Sequence, residues 1–157
     1  MSRCDHVEVV ASARMGAWGA GAFDNDDAAD WSWEFENADH DAGLRLVTDA
    51  LSAAVQASGS AYLDATDGAR AIAAAEVVAS INGQPIDESP YNETVRQWIN
   101  RTRPATGAAL TDLARQAVDR VTMPQNSELA QLWGEAASSS WPSVMAELRT
   151  KITPLAR

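Results

Sequence analysis

The chain has 157 residues, 46% apolar and 22% charged, with 22 acids against 12 bases and a formal net charge of −10. That size and balance describe one ordinary globular domain and exclude a chain disordered throughout. The negative charge repels nucleic-acid backbones and anionic membrane surfaces. It suits plain solubility or a basic protein partner.

Residues 1–14 differ from the rest and hold one short β-prone run at 7–10. They are expected to form a poorly ordered N-terminal extension, with a single all-α domain over residues 15–157. Met15 offers an alternative natural start. Cys4 is the only cysteine, so neither an internal disulfide nor a cysteine-rich zinc site can form. No run reaches the length of a membrane span, and the N-terminus lacks a signal-peptide apolar core. The expected compartment is the cytoplasm.

A glycine-rich stretch follows, "MGAWGAGAFDNDDAADW" at residues 15–31. Residues 26–35 read as a short helix with Asp24 or Asn25 as N-cap and acids in its first turn. Phe23 precedes the cap and is placed to staple the helix start. Glycines at 16, 19 and 21 would let this leader pass closely over other helices, with Trp18 as the plug. Residues 42–58 put Leu44, Val47, Leu51, Ala54 and Val55 on one helical stripe, with Gly59 as the stop. Residues 65–82 form an alanine-rich helix between Asp64 and Gly83. Its small side chains predict a central position. The loop "GQPIDESP" leads to a helix over 92–101 carrying Val95, Trp98 and Ile99. Pro104 interrupts. Residues 106–122 carry Leu110, Leu113, Ala117 and Val121. Asn126 is the expected cap of the next helix, with Leu129, Leu132 and Trp133. The last helix starts near Pro142 and carries Trp141, Val144, Met145, Leu148 and Ile152. The sum is an all-α domain of six or seven helices, with the glycine leader packed on the bundle.

Gly16, Gly19 and Gly21 give GxxGxG, not the GxGxxG of a dinucleotide fold. The helix start that a pyrophosphate would need carries Asp24, Asp26 and Asp27, which oppose an anion by kilocalories. The only lysine is Lys151, so there is no P-loop. Residues 24–41 hold eight of the 22 acids and no base. A calcium loop counted from Asp24 fails, because Ala28, Ala29 and Phe35 stand where an oxygen ligand, a glycine and a glutamate belong. Asp26, Asp30 and Glu34 do share one helical face. Three readings of that face stay open: a solvated surface, pairing with Arg96, Arg101 or Arg103, or a loose divalent-cation site.

Cys4 and His6 sit in the extension, and no GxSxG elbow exists. His40, between Asp39 and Asp41, reads as an exposed interhelix-loop residue. Six tryptophans are many for this length, and most lie on apolar stripes. Trp33 is off the Trp31/Phe35 face by about 200° at 100° per residue. If exposed beside Glu34 and Glu36, it is an interface hot-spot candidate.

The stretch Gly16, Trp18, Gly19, Gly21, Phe23, Asp24, Asn25, Asp26, Ala28, Asp30 and Trp31 resembles the opening signature of a bacterial family of uncharacterised proteins, domain of unknown function 4259. Softer echoes lie at residues 73–85 and 127–133, and in Trp141 with Leu148. The resemblance implies Met15 as the family's start and supplies no activity. The expected function is therefore a non-enzymatic acidic interaction module, immunity-type or regulatory, for a basic protein partner. No nucleic acid, membrane, catalytic residue or cofactor is expected. A cation-binding protein or cation-dependent enzyme using residues 24–41 is the alternative, and homo-oligomerisation is a further option.

Overall fold

The computed structural model describes residues 20–57, 61–86, 88–135 and 139–152. The readings placed on residues 1–14, on Gly16, Trp18 and Gly19, and on Gly59 lie outside them. Among the described residues seven helices follow one another: α1 (Asp26–Trp33), α2 (His40–Gln56), α3 (Ala65–Ile81), α4 (Glu93–Thr102), α5 (Ala108–Val121), α6 (Glu128–Gly134) and α7 (Trp141–Ile152). Among the described residues there is no strand, and a parallel bridge joins Leu63 to Ser127. The protein is an all-α single domain. No helix among the described residues is long and apolar enough to cross a membrane.

The alanine-rich α3 is the centre, as its composition predicts. It packs against α1, α2, α5, α6 and α7. Ala71, Ala73, Ala74, Ala75, Val77 and Val78 are all fully buried. A helix with apolar residues around most of its circumference must be largely enclosed, and methyl side chains let the neighbouring helices come close. Its two ends are set by local chemistry. The Asp64 carboxylate accepts the Asp67 N–H at 2.8 Å. At the other end Gly83 adopts φ +105°. Its N–H bonds to the Ser80 carbonyl, and the Gln84 N–H reaches back to that of Ala79, both at 3.0 Å. This closes a Schellman motif at a φ that side chains avoid.

Three local expectations are corrected. α1 ends at Trp33, not Phe35. Bonds of i→i−3 type at Glu34, Phe35 and Glu36 tighten the chain after it. That tighter turn still brings Phe35 against Trp31, edge to face at 4.9 Å. His40 opens α2 rather than lying in a loop, because the Asp39 side chain caps the helix through the Ala42 N–H. It is exposed as expected, with Nδ1 2.9 Å from Asp41. The cap of α6 is Ser127, not Asn126; its hydroxyl accepts the Ala130 N–H at 3.3 Å. Asn126 instead gives its carbonyl to Leu63 N–H at 2.8 Å.

Arg120, 7% exposed, sits behind that bridge. Its Nε donates to the Ala57 carbonyl at 2.7 Å, and its Nη2 to those of Ala61 and Asn126 at 2.8 and 3.2 Å. One guanidinium thus joins the end of α2, the approach to α3 and the approach to α6. Backbone carbonyls inside a protein need donors, and the planar fork of arginine can serve several at once.

Candidate functional site

The acidic segment begins with a tight turn. Asp24 N–H bonds to the Gly21 carbonyl at 3.1 Å, and the Asp24 carboxylate accepts the Gly21 N–H at 3.0 Å. A Cβ on Gly21 would lie 2.6 Å from that carboxylate, so here the glycine admits a side chain rather than a neighbouring helix. Of the two cap candidates, Asn25 is the cap, accepting the Ala28 N–H at 2.8 Å. Phe23 then falls two residues before the cap, out of register for a staple. Its buried ring instead shares a groove with Val144, Met145 and Leu148 of α7.

α1 is held from below by aromatic packing. Trp31, Phe35 and Trp98 form a chain, with Phe35 and Trp98 5.1 Å apart. Trp98 Nε1 donates to the Asp39 carbonyl at 2.9 Å, and Arg101 Nη2 to that of Ala38 at 2.9 Å. Trp31, Trp98, Trp133 and Trp141 are buried as their stripes predict, whereas Trp33 is 56% exposed. It stands on the outer side of α1 near Asp30, Glu34 and Glu36, all exposed.

Of the three readings left open for that face, pairing with Arg96, Arg101 or Arg103 is not seen among the described residues. Arg101 serves the Ala38 backbone, and Arg96 bonds the Asn92 side chain and the Ser89 carbonyl. No ion pair among the described residues joins Arg96, Arg101 or Arg103 to the α1 acids. The base that approaches α1 is Arg70 of α3, beside Asp27. A charged residue in the middle of "GARAIAAAE" was the available signal for it. Asp26, Asp30, Glu34 and Glu36 take part in no ion pair among the described residues. Nor do any three His, Cys, Asp or Glu side chains among those residues form a group able to hold a metal ion.

Burial pushes the Asp27 carboxyl above its usual range, and the charges of Asp30 and Asp26 add to this, while Arg70 and a hydrogen bond from Thr66 work the other way. A group whose pKa is raised by folding binds its proton more tightly in the folded state. Stability is therefore lost as pH rises through that range. Asp27→Asn should melt higher than the wild type at pH 7, and the gap should close as the pH falls below the carboxyl range. The helix N-terminus favours the carboxylate by up to about 1 kcal/mol, against this trend. Melting curves of both proteins from pH 7 to below 4 decide. If Asp27→Asn instead melts lower than the wild type at pH 7, with the deficit shrinking on acidification, the helix end wins.

Beside Glu34 a cleft of about 250 Å³ opens between α1, α2 and α3. Trp31, Leu46 and Ala50 provide its apolar lining. Glu34, Asp49, Asp67 and Arg70 provide its charges.

Fold and surface together define a small helical protein that displays a tryptophan among exposed carboxylates. Residues 16–143 match the family model described as a domain of unknown function (DUF4259), and the chain belongs to that family. No curated protein and no solved structure matches it.

Proposed function

We propose that the chain is a non-enzymatic interaction module of the cytoplasm whose α1 face binds a basic protein. Immunity-type neutralisation of that partner is the most specific form of this role; regulation is the broader one. The observation that carries it is Trp33, 56% exposed on a helix whose neighbouring acids lack cationic partners among the described residues. Leaving about half of a large aromatic side chain in water forfeits roughly 1–1.5 kcal/mol of burial. Aromatic anchors of this kind recover that energy at interfaces. The chain's net charge of −10 favours rapid encounter with a positive surface.

The test compares wild type with Trp33→Ala in affinity capture from the source organism, at low and moderate salt. The partner should be basic, and its retention should fall with salt. Trp33→Ala should weaken binding by about 30-fold or more, as loss of a hot spot worth about 2 kcal/mol does. Its own stability should change by less than about 0.5 kcal/mol, because the ring is a surface group. A captured partner that Trp33→Ala holds equally well would refute the reading, as would no partner at either salt.

A further inference from the structure

Among the described residues, three grooves large enough to hold a side chain of another protein stand out. The first, about 340 Å³, lies between α5, α6 and α7, around Trp133, Trp141 and Met145. Its lining is mostly apolar, and nothing about it selects an occupant. The second, about 330 Å³, borders Asp24, Glu76, Glu88 and Glu147. It already contains a cation, since Lys151 Nζ donates to Glu76 at 2.8 Å. The third is the cleft of about 250 Å³ beside Glu34.

In this third cleft the carboxylates outnumber the bases. Glu34 comes from the C-cap of α1, Asp49 from α2 and Asp67 from α3, against Arg70 alone. Arg70 lines the cleft and also acts on Asp27, which borders a different cavity, so one base is shared among four carboxylates. None of Glu34, Asp49 and Asp67 is in an ion pair among the described residues. The apolar part of the lining matters equally. Trp31, Leu46 and Ala50 give a surface on which an alkyl stem can lie while its charged head meets the acids.

We infer that this cleft receives an arginine side chain of the partner. The inference rests on the interaction reading of the α1 face and names what that face recognises. Carboxylates arriving from three helices surround the cleft rather than meeting at one point. A compact ammonium would reach one of them at a time. A guanidinium has five N–H donors in a fixed plane and can address several together. Trp33, one residue before Glu34, would then cover apolar surface of the same partner segment.

The probe is Nα-acetyl-arginine amide, titrated into ¹⁵N-labelled full-length protein at low ionic strength, with the citrulline and lysine analogues as controls. Citrulline keeps the shape and loses the charge. Arginine should shift the amides of residues around Glu34, Leu46, Asp49, Asp67 and Arg70. Lysine should act more weakly, and citrulline should have no effect. The double variant Asp49→Asn/Asp67→Asn should weaken arginine binding at least about tenfold, as loss of charge-assisted hydrogen bonds does. Glu34→Gln, on another helix, gives a second measure, and the spectrum itself reports that each variant is folded. Equal shifts with citrulline or lysine would overturn the assignment. So would shifts scattered over unrelated acids such as Asp112 and Glu147. Partner capture separates this idea from its premise. If the double variant keeps a partner that Trp33→Ala loses, the cleft assignment fails and the interaction reading stands. If neither variant affects capture, both fail.

Discussion

Gly43→Ala should destabilise the protein by about 3 kcal/mol, at the upper end of what overpacking a core usually costs. Helix propensity alone predicts the reverse, since alanine is better than glycine inside a helix by about 1 kcal/mol. The clash decides the sign. A Cβ at Gly43 would stand 2.1–2.3 Å from three atoms of the Trp98 indole. That ring is completely buried. It cannot swing aside, because Phe35 packs on it at 5.1 Å and its Nε1 bonds to the Asp39 carbonyl. The same carbonyl accepts the Gly43 N–H at 3.0 Å, so the helix start and the ring share an anchor. Either α2 retreats from α4, or the indole gives up its hydrogen bond. For a domain of this size the melting temperature should fall by about 6–12 °C. Combining Gly43→Ala with Trp98→Leu should cost less than the two changes added, with a coupling above about 1 kcal/mol. A variant melting at or above the wild-type temperature would show that the ring can move.

The helices were legible because their signals are local. α3 shows why: Asp64, a run of alanines and Gly83 each act within a few residues, and together they set the start, the burial and the stop. Trp33 was legible in the same way, since its angular offset from Trp31 and Phe35 follows from the helical period alone. The parts that were not legible depend on partners distant in sequence. Asp27 meets Arg70. The cleft beside Glu34 collects acids from three helices. Nothing in the spacing of residues 24–41 reveals that α3 rather than α4 supplies the facing base. Gly43 did leave a trace: a glycine inside a helix loses about 1 kcal/mol against alanine and usually marks a close approach. Only the packing says that the close neighbour is Trp98.

A second large effect is expected at Arg120, and here two costs oppose each other. Arg120→Met removes a buried charge whose Nη1 has no hydrogen-bond partner among the described residues, and replacing buried charges by apolar residues can stabilise a protein. It also deprives the carbonyls of Ala57, Ala61 and Asn126 of a donor. The Asn126 carbonyl keeps its bond from Leu63, so its loss is partial. Those of Ala57 and Ala61 lose bonds to a charged group, worth about 1.5–3 kcal/mol each. Ala61 is exposed, and water can replace part of its share. The net expectation is a loss of about 2–3 kcal/mol, the carbonyls outweighing the relief of the guanidinium. Arg120→Lys should recover little, because one ammonium cannot reproduce a planar fork spanning three segments. The failure should begin locally. Leu63 N–H and Glu128 N–H hold the bridge between the approaches to α3 and α6, at 2.8 and 2.9 Å. Their hydrogen exchange should accelerate more than that of amides in the middle of α3, where burial is complete. Uniform acceleration would mean that Arg120 acts on the whole fold rather than on this junction. A variant as stable as the wild type would mean that burying the guanidinium costs as much as its three bonds return.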